Sequence, residues 1–257
     1  MAGNQMNWAD KLARRRMMRR WKALAARAPE LTAPELRALR DEGRGMGRAI
    51  DRVLQEADYR LALPAIGSNA IRRQPGTDWA WRPMPWRAAL DLAGQAAIPV
   101  RTEVGEGVTL YHDCRRSELT LRQVRNGRDS DLAAFGLRLD VFGFDGSFLS
   151  LALELPGDVG KGLTRRHMIR LEARVEMEKP LQIYGRLNLR HGPNVAQLLR
   201  ELPKKGEEVF VDFDLSQMQF DEKRVEHLWL DLILEGPQMN QVTFRDVTLG
   251  RRLRAGM

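Results

Sequence analysis

From Gly107 onward, apolar and polar residues alternate with a period of two, which is typical of half-buried β-strands. In one such stretch Leu137 and Leu139 alternate with Arg138 and Asp140, so one side of the strand is apolar and the other is polar. This pattern predicts a mainly β protein, an antiparallel β-sandwich of the jelly-roll type preceded by a helical N-terminal segment. One short helix is expected over residues 195–202. The strands are predicted near residues 108–112, 118–124, 135–142, 148–155, 168–177, 181–189, 209–215, 225–234 and 242–249.

The N-terminal part of the chain follows the 3.6-residue period of a helix instead. An apolar side formed by Trp8, Leu12, Met18 and Trp21 is predicted to face away from a surface rich in arginine. This arrangement predicts a cationic amphipathic helix, of the kind that lies on a membrane surface or docks in a partner's groove.

A second helix is predicted to start at Thr32, because Thr32 and Glu35 have the spacing of a capping box. Gly43, Gly45 and Gly47 interrupt its apolar stripe, and each glycine costs about 1 kcal/mol of helix propensity relative to alanine. The helix therefore either breaks at these glycines or meets another backbone closely there.

Positive charge is concentrated at the N-terminus. The chain has 42 basic and 34 acidic residues, a formal net charge of +8, and residues 1–28 hold eight basic residues against Asp10 alone. A basic segment on a neutral body predicts an electrostatic tether to an anionic membrane surface, to a protein partner or to nucleic acid. Nucleic acid ranks lower, since the segment has neither a helix-turn-helix pattern nor zinc ligands. The basic residues assigned to this surface are Arg14, Arg15, Arg16, Arg19, Arg20 and Lys22.

Composition sets the remaining limits. No apolar run approaches the roughly 18–20 residues that span a bilayer, so a soluble protein is expected. The single cysteine, Cys114, leaves no internal disulfide and fits a reducing compartment. We therefore expect a cytoplasmic protein, peripheral at the inner membrane if the tether acts on lipid. The predicted organisation is a basic helical segment over residues 1–62, a Pro- and Trp-rich linker or covering arm over 63–105, the sandwich over 106–252 and a tail over 253–257.

Three tryptophans, Trp79, Trp81 and Trp86, lie within eight residues of the linker and are interleaved with arginines. Together they are too apolar to remain in water. The segment is therefore either an irregular arm whose rings cover an open part of the sandwich, or a stacking platform for sugar rings or bases.

No residue is assigned a catalytic role. His112 and Cys114 stand two positions apart, where they share a face without the hydrogen bond that a Cys–His nucleophile needs. A small buried cysteine is expected instead. The scattered histidines lack zinc-ligand spacing, and neither a metal nor a cofactor is predicted.

Carboxylates alternate with apolar residues along several predicted strands, and two of them at the right separation would form the acid pair of a glycosidase. Arginines on the same strands favour a ladder of cross-strand salt bridges instead. The carboxylates are Glu154, Glu172, Glu176, Asp212, Asp214 and Asp231, and the arginines are Arg170, Arg174 and Arg186.

Polar loops carry the candidate ligand-binding residues of the body, because binding residues concentrate on the loops of a rigid scaffold. The turn after Leu189 holds Arg190, His191 and Asn194, with Asn188 beside it. A second polar loop, which holds Asn240, is the other candidate for hydrogen bonds to hydroxyl groups.

The closing sequence VEHLWLDLILEGPQMNQVTFRDVTLGRR pairs a long strand with a final strand of alternating apolar and acidic residues. This ending resembles the last hairpin of galactose-binding-like and carbohydrate-binding-module jelly rolls. The resemblance to these jelly rolls covers residues 106–252. In some members of those families an acidic residue of this strand helps to hold a structural calcium. Asp246 is the matching position, but Arg245 stands where the second acid is usual. Through WADKLARR, DWAWRP, HDCRRSELTLRQ, LTRRHMIRLE and GPQMNQVTFRDVTL, the chain also resembles an uncharacterised bacterial family of unknown function, which implies no activity.

The sequence thus predicts a non-catalytic binding or scaffold protein. Its sandwich would recognise carbohydrate or a protein partner, and its cationic helix would tether it to an anionic membrane surface or a partner. Two alternatives are a glycan-acting hydrolase or transferase that uses strand carboxylates, and a nucleic-acid-associated protein that uses the basic arm.

Overall fold

The computed structural model describes residues 8–61, 71–90, 94–128, 130–203 and 206–254, without the side chains of residues 8–11, 51 and 55–61. The chain divides into two compact units, Met1–Leu54 and Gln55–Met257. The first contains helix α1 (Trp8–Arg27), a turn of 3-10 helix (Ala28–Glu30) and most of helix α2 (Ala33–Leu61).

The second unit is built mainly from strands, and its described residues also include the end of α2, the short helix α3 (Met84–Arg87) and a turn of 3-10 helix (Leu215–Gln217). Strands such as His167–Met177 and Glu208–Asp214 alternate between buried and more exposed positions, as the period of two predicts, whereas residues 149–153 are buried in succession. The strands are β1 (Thr77–Trp81), β2 (Gln95–Ala96), β3 (Arg101–Gly105), β4 (Val108–His112), β5 (Leu119–Arg125), β6 (Phe135–Val141), β7 (Leu149–Glu154), β8 (His167–Met177), β9 (Gln182–His191), β10 (Asn194–Glu201), β11 (Glu208–Asp214), β12 (Val225–Glu235) and β13 (Asn240–Leu253).

The strands form two antiparallel sheets. Sheet A has the order β11-β8-β13-β6-β5-β2, and β1 pairs with the C-terminal half of β13. Sheet B has the order β10-β9-β12-β7-β4-β3. The inward-facing residues of both sheets, such as Leu171, Phe213, Leu187 and Leu230, are fully buried in one shared core. This confirms the predicted antiparallel sandwich.

Residues 195–202 do not form the predicted helix. They belong to β10, which pairs with β9 in continuous register from Asn194 opposite His191 to Glu201 opposite Tyr184. Ala196 and Leu198 pack against the core, while Val195 and Leu199 stand exposed on the other side. Pairing along a whole neighbouring strand outweighs the helix propensity of this stretch.

The Pro- and Trp-rich stretch is not an irregular arm, since it supplies β1, α3, β2 and β3 to the sandwich. Trp86 is fully buried and its indole N–H donates to the Phe244 carbonyl at 2.8 Å. Arg251, itself buried, holds β1 through a two-pronged ion pair with Asp78 at 2.9 and 3.1 Å. The segment completes sheet A, and Trp86 is not available as a stacking platform.

In the helical unit, the capping box is confirmed. The Thr32 amide donates to Glu35 at 2.9 Å, and the hydrogen bonds from Thr32 hold the pKa of Glu35 below its ordinary value. Helix α2 runs unbroken through its glycines. A Cβ on Gly43 would lie 3.3 Å from the Trp21 ring, so close approach of α1 explains this glycine.

The apolar side predicted for α1 is only partly correct. Trp21 packs against α2, and Met18, 60° from it around the helix, is 53% exposed. Leu12 is nine residues, or two and a half turns, from Trp21 and so lies on the opposite side of the helix. The Trp8 side chain lies outside the described residues. The apolar positions of α1 therefore do not form one continuous stripe.

Candidate functional site

The solvent-facing side of sheet B carries aromatic and polar side chains in register. Inward positions of β12 such as Leu230 are buried, so the alternate residues project outward. One row across the sheet runs Tyr184, Ile233, Ser150, Tyr111, on β9, β12, β7 and β4. With strands roughly 4.8 Å apart, the two tyrosines are separated by three strand spacings, about 14 Å.

A hydrogen-bonded network occupies the next two rows. Arg186 donates to Asp231 Oδ2 through Nε at 3.0 Å and Nη2 at 2.9 Å, and Asn188 Nδ2 donates to the same oxygen at 2.9 Å. Gln197 Nε2 in turn donates to Asn188 Oδ1 at 2.9 Å. All the contacts to Asp231 converge on Oδ2, and Oδ1 receives no hydrogen bond from the described residues. One carboxylate oxygen is thus held in a fixed position with acceptor capacity to spare.

Trp229 lies in the same row as Asn188 and extends the aromatic surface. Its ring stacks with His227 at a centroid distance of 5.4 Å and an interplanar angle of 22°. The other edge of His227 contacts the Glu154 carboxylate at 2.5 Å. The indole is therefore held in one orientation by its neighbours, which lowers the entropy lost when a ligand stacks on it.

The centre of this face is a shallow trough. Ser150 and Ala152 point outward and yet are only 8% and 5% exposed. Their cross-strand rows contain the larger Tyr111, Tyr184 and Arg186, which stand higher than these small side chains. The trough thus has Ser150 and Ala152 in its floor, with the tyrosine rings and the Arg186–Asp231–Asn188 network beside them.

The Tyr184 hydroxyl remains a neutral hydrogen-bonding group. Burial, followed by the negative charges of Glu235 and Glu201, raises the pKa of Tyr184 above its ordinary value. A phenol both donates and accepts, and the Asp231 carboxylate accepts. Flat apolar rings beside such groups are suited to a ligand with hydroxyl groups at its rim and C–H groups on its faces.

The predicted ligand-binding residues are divided between different places. Asn188 and Arg190 lie on this face, Asn188 buried in the network and Arg190 exposed at its end. His191 and Asn194 close the β9–β10 hairpin, and the His191 ring accepts a hydrogen bond from the Asp221 amide at 3.3 Å. Asn240 belongs to sheet A, where its side chain bridges to both backbone groups of Lys179 at 3.0 Å. Of the predicted tryptophans, Trp79 and Trp81 stack with each other on β1, 6.4 Å apart.

Sequence patterns did not single out Tyr111, Tyr184, Trp229, Arg186 and Gln197 for this site. Each occupies an outward position of its own strand, and only the strand order brings the five together. The alternation around Trp229 in the sequence HLWLDL gives a signal for it, since tryptophan there occupies the side opposite the leucines.

The strand carboxylates form the predicted ladder rather than an acid pair. Asp212 forms an ion pair with Arg170, Asp231 with Arg186, and Glu176 with Arg245. Burial acts against the charged form of Glu176, but the hydrogen bond and charge of Arg245 hold its pKa below the ordinary value, which is the opposite of a general acid with a raised pKa. Glu172 differs and is considered below.

The sulfur and calcium candidates are explained by local packing. Cys114 is buried and its amide donates to His112 Nδ1 at 3.1 Å, so the ring does not activate the thiol. Burial raises the Cys114 pKa, which disfavours the reactive thiolate. Both oxygens of Asp246 accept from Arg82 at 2.8 Å, which corrects the calcium interpretation. Among the described residues no three His, Cys, Asp or Glu side chains are grouped to hold a metal.

The basic residues of α1 are displayed outward. Arg14, Arg15, Arg16, Arg19 and Lys22 are exposed, and Arg20 is joined to Glu42 of α2 at 2.7 and 2.8 Å. Met17 and Met18 are exposed among them. No helix in the part of the chain that the structure describes combines the length and the hydropathy needed to cross a bilayer.

One family profile covers the whole chain, residues 1–257: a family of unknown function named DUF6478. The chain belongs to this family. No curated protein matches the DUF6478 chain. Among solved structures it is similar to a family 11 carbohydrate-binding module of Clostridium thermocellum in complex with a β-1,3-1,4-mixed-linked tetrasaccharide, at 9% identity and a TM-score of 0.39, over 64% of this chain and 100% of that one.

Two further structures are similar to the DUF6478 chain. The enzymatically active domain of tailspike protein 4 of bacteriophage CBA120 matches at 6% identity and a TM-score of 0.39, over 56% of this chain and 19% of that one. The module TmCBM61, in complex with β-1,4-galactotriose, matches at 14% identity and a TM-score of 0.33, over 58% and 90%. This chain thus spans about a fifth of the tailspike domain's length.

Proposed function

We propose that the protein is a non-catalytic binding protein whose sheet B trough recognises carbohydrate, and whose cationic helix α1 tethers it to an anionic membrane surface. The carbohydrate part rests on one observation. Two tyrosines and Trp229 stand around a fixed Arg186–Asp231–Asn188 network on one solvent-facing side of a rigid sheet. Rings that stack on sugar faces and polar groups that bind hydroxyls are thereby placed within one trough.

The test is a glycan panel probed with the full chain and with two variants. Trp229→Ala removes the central ring, and Phe142→Ala removes a ring that is 54% exposed on the outer side of sheet A. Loss of a central aromatic anchor costs about 2 kcal/mol or more in binding, so Trp229→Ala should weaken affinity more than tenfold. Phe142→Ala should leave it unchanged. No binding by the full chain, or equal losses in both variants, would refute a sugar site on sheet B.

The tether proposal is supported by the exposed row of bases on α1 with Met17 and Met18 between them. Anionic lipid attracts each surface base by about 1 kcal/mol, and exposed apolar side chains add insertion into the interface. The protein would then be cytoplasmic and peripheral at the inner membrane.

Sedimentation with vesicles containing 30% phosphatidylserine tests the tether. The triple variant Arg14→Gln, Arg15→Gln, Arg16→Gln should lower the bound fraction severalfold. The matched control changes three bases of α2, Arg37, Arg40 and Arg44, to Gln and should have a smaller effect. Duplex DNA in place of vesicles is the counter-test. Binding to DNA alone would replace the membrane proposal by the nucleic-acid alternative, and binding to neither would leave a protein partner.

A further inference from the structure

A separate groove of about 420 Å³ lies on the outer side of sheet A, on the opposite sheet from the trough. Its floor is made of two cross-strand rows. One row is Phe210, Glu172, Thr248, and the other is Glu208, Arg174, Asp246. The segment from Arg72 to Gln74 forms one wall, and the loop from Ser130 to Leu132 forms the other.

Arginines line this groove from several sides, and most are already paired. Arg82 binds Asp246 at 2.8 Å, and Arg72 binds Glu208 at 2.9 Å. Arg174 binds Asp131 at 3.3 Å and, beyond the groove, Glu207 at 3.0 Å. The positive charges of these three arginines are therefore neutralised by carboxylates in or beside the groove.

One cation of the groove is left without an ion pair. Arg73 is exposed on the wall and pairs with no carboxylate within the described part of the chain. An unpaired guanidinium at the wall of a groove is a charge-assisted donor for an anionic acceptor. The Arg174 Nε–H also lacks an acceptor among the described residues, but this atom is buried and closed to a ligand.

Glu172 is held by few contacts within this groove. Its carboxylate accepts no hydrogen bond from the described residues, and the nearest cation, Arg170, is 3.9 Å away. Burial, with the charges of Asp212 and Asp246, raises the Glu172 pKa, while Arg170 and Arg72 act in the opposite direction.

Phe210 supplies the apolar part of the groove. Its ring is 56% exposed on an otherwise polar surface, and the Arg170 guanidinium covers one face at 4.2 Å from the centroid. A ring held in this way offers its remaining surface to a second ring. Thr248, Gln74 and Glu208 add a hydroxyl, an amide and a carboxylate along the same groove, and these groups suit the hydroxyls of a sugar better than they suit a simple hydrocarbon acid.

We infer that this groove is a second binding site, which takes an acidic sugar, a pyranose that carries a carboxylate. The carboxylate contacts Arg73, the sugar ring packs on Phe210, and the hydroxyls bind Thr248, Gln74 and Glu208. The site is independent of the sheet B trough in position and in charge.

The experiment is a heteronuclear NMR titration of the full chain with methyl β-D-glucuronide and, in parallel, with neutral methyl β-D-glucoside. These probes share a ring and differ in the carboxylate. The glucuronide should shift the backbone amides of residues 172–174, 209–210 and 248. It should bind at least tenfold more tightly than the glucoside, with affinity falling as salt is raised.

Variants assign the site. Arg73→Gln changes an exposed side chain and should lower glucuronide affinity about tenfold, the effect of one charge-assisted hydrogen bond. Phe210→Ala should lower it severalfold. Arg166→Gln, which removes another exposed arginine just before β8, is the matched control and should change nothing.

Two results would overturn the inference. One is equal affinity for the two probes, or no shift in the groove amides with either. The other is glucuronide binding that survives Arg73→Gln and Phe210→Ala and disappears in Trp229→Ala, which would place the acid in the trough. The second result would leave the proposed function on sheet B intact, so the two proposals fail separately.

Discussion

The outer sides of the two sheets have the same backbone architecture and different chemistry. On sheet A, ion pairs recur along the strands: Arg170 with Asp212, Arg245 with Glu176, and Arg138 with Asp140. On sheet B, one ion pair lies at the centre and aromatic rings surround it. The first side pairs most of its charged groups internally, while the second carries aromatic rings beside one fixed carboxylate.

The difference suggests how one sandwich carries two kinds of recognition. A ladder of charges gives little affinity for a neutral ligand, because water and the ladder itself compete for every group. A ring surface with a few fixed acceptors suits neutral polyols. The anionic ligand that we propose would bind on sheet A at the exposed Arg73, which has no ion pair within the described residues.

The largest effect should come from the early segment that carries β1, α3, β2 and β3, which supplies two strands to sheet A and the edge strand β3 to sheet B. Trp86 joins this segment to β13 through its hydrogen bond to the Phe244 carbonyl. Trp86→Ala should lower the free energy of unfolding by about 3–5 kcal/mol, through the cavity and the orphaned Phe244 carbonyl. Urea denaturation measures it, with half-buried Trp79→Ala as the control. Equal losses in the two variants would mean that Trp86 has no special anchoring role.

The second comparison replaces one aspartate by alanine on the outer side of each sheet. Asp231 is buried and receives three hydrogen bonds, so Asp231→Ala should cost about 3 kcal/mol. Asp212 is more exposed and pairs with Arg170, so Asp212→Ala should cost about 1 kcal/mol. Chemical denaturation of both variants at pH 7 gives the difference. A larger loss for Asp212 would reverse the distinction between a fixed network and a surface ladder.

The smallest effect is a change in melting temperature, which should have opposite signs when two carboxylates of sheet A are neutralised. The folded-state pKa of Glu172 is raised, so between its ordinary value of 4.5 and the raised value the folded chain binds more protons. Stability from this group therefore falls as pH rises through that window. Glu172→Gln should raise the melting temperature slightly at pH 7 and should give no gain below pH 4.5.

Asp140 is the matched case of opposite sign. Burial acts against it, but hydrogen bonds from Arg138 and Thr120 hold its pKa below the ordinary 3.8. Its contribution is present above that value and is lost as pH falls through the lowered pKa. Asp140→Asn should therefore lower the melting temperature at pH 7 and should lose its effect in acid. Shifts of the same sign in both variants would contradict the assignment of Glu172 as the unsatisfied group.

The body of the fold was accessible from sequence because its strands alternate strictly. Ile169, Leu171 and Ala173 point inward and Arg170 and Glu172 outward, as their spacing predicts. The exception, β10, has leucine, glutamine, arginine and glutamate, which suit a helix, and apolar residues spaced at 195, 198, 199 and 202. It forms a strand because it pairs with β9. The local sequence pattern does not show that the edge of β9 is available for pairing.

The trough was not accessible in the same way. Asn188 and Arg190 were selected as neighbours of a polar turn, and they lie on the right sheet. Tyr111 and Tyr184 are separated by 73 positions and meet in one row only because β7 and β12 lie between their strands. The order of the strands depends on how all the core side chains pack together, and the local periodicity of the sequence does not determine it.

The long strand β13 also affects the order in which the two sheets can form during synthesis. It pairs with β8, β6 and β1, whose residues are made well before it. During synthesis from the N-terminus, the strands of sheet B can assemble once β12 has emerged, whereas the middle of sheet A stays open until residues 240–253 are free of the ribosome. For that interval the edge of β8 that later pairs with β13 has unpaired backbone groups, and such an edge is open to pairing with a second chain.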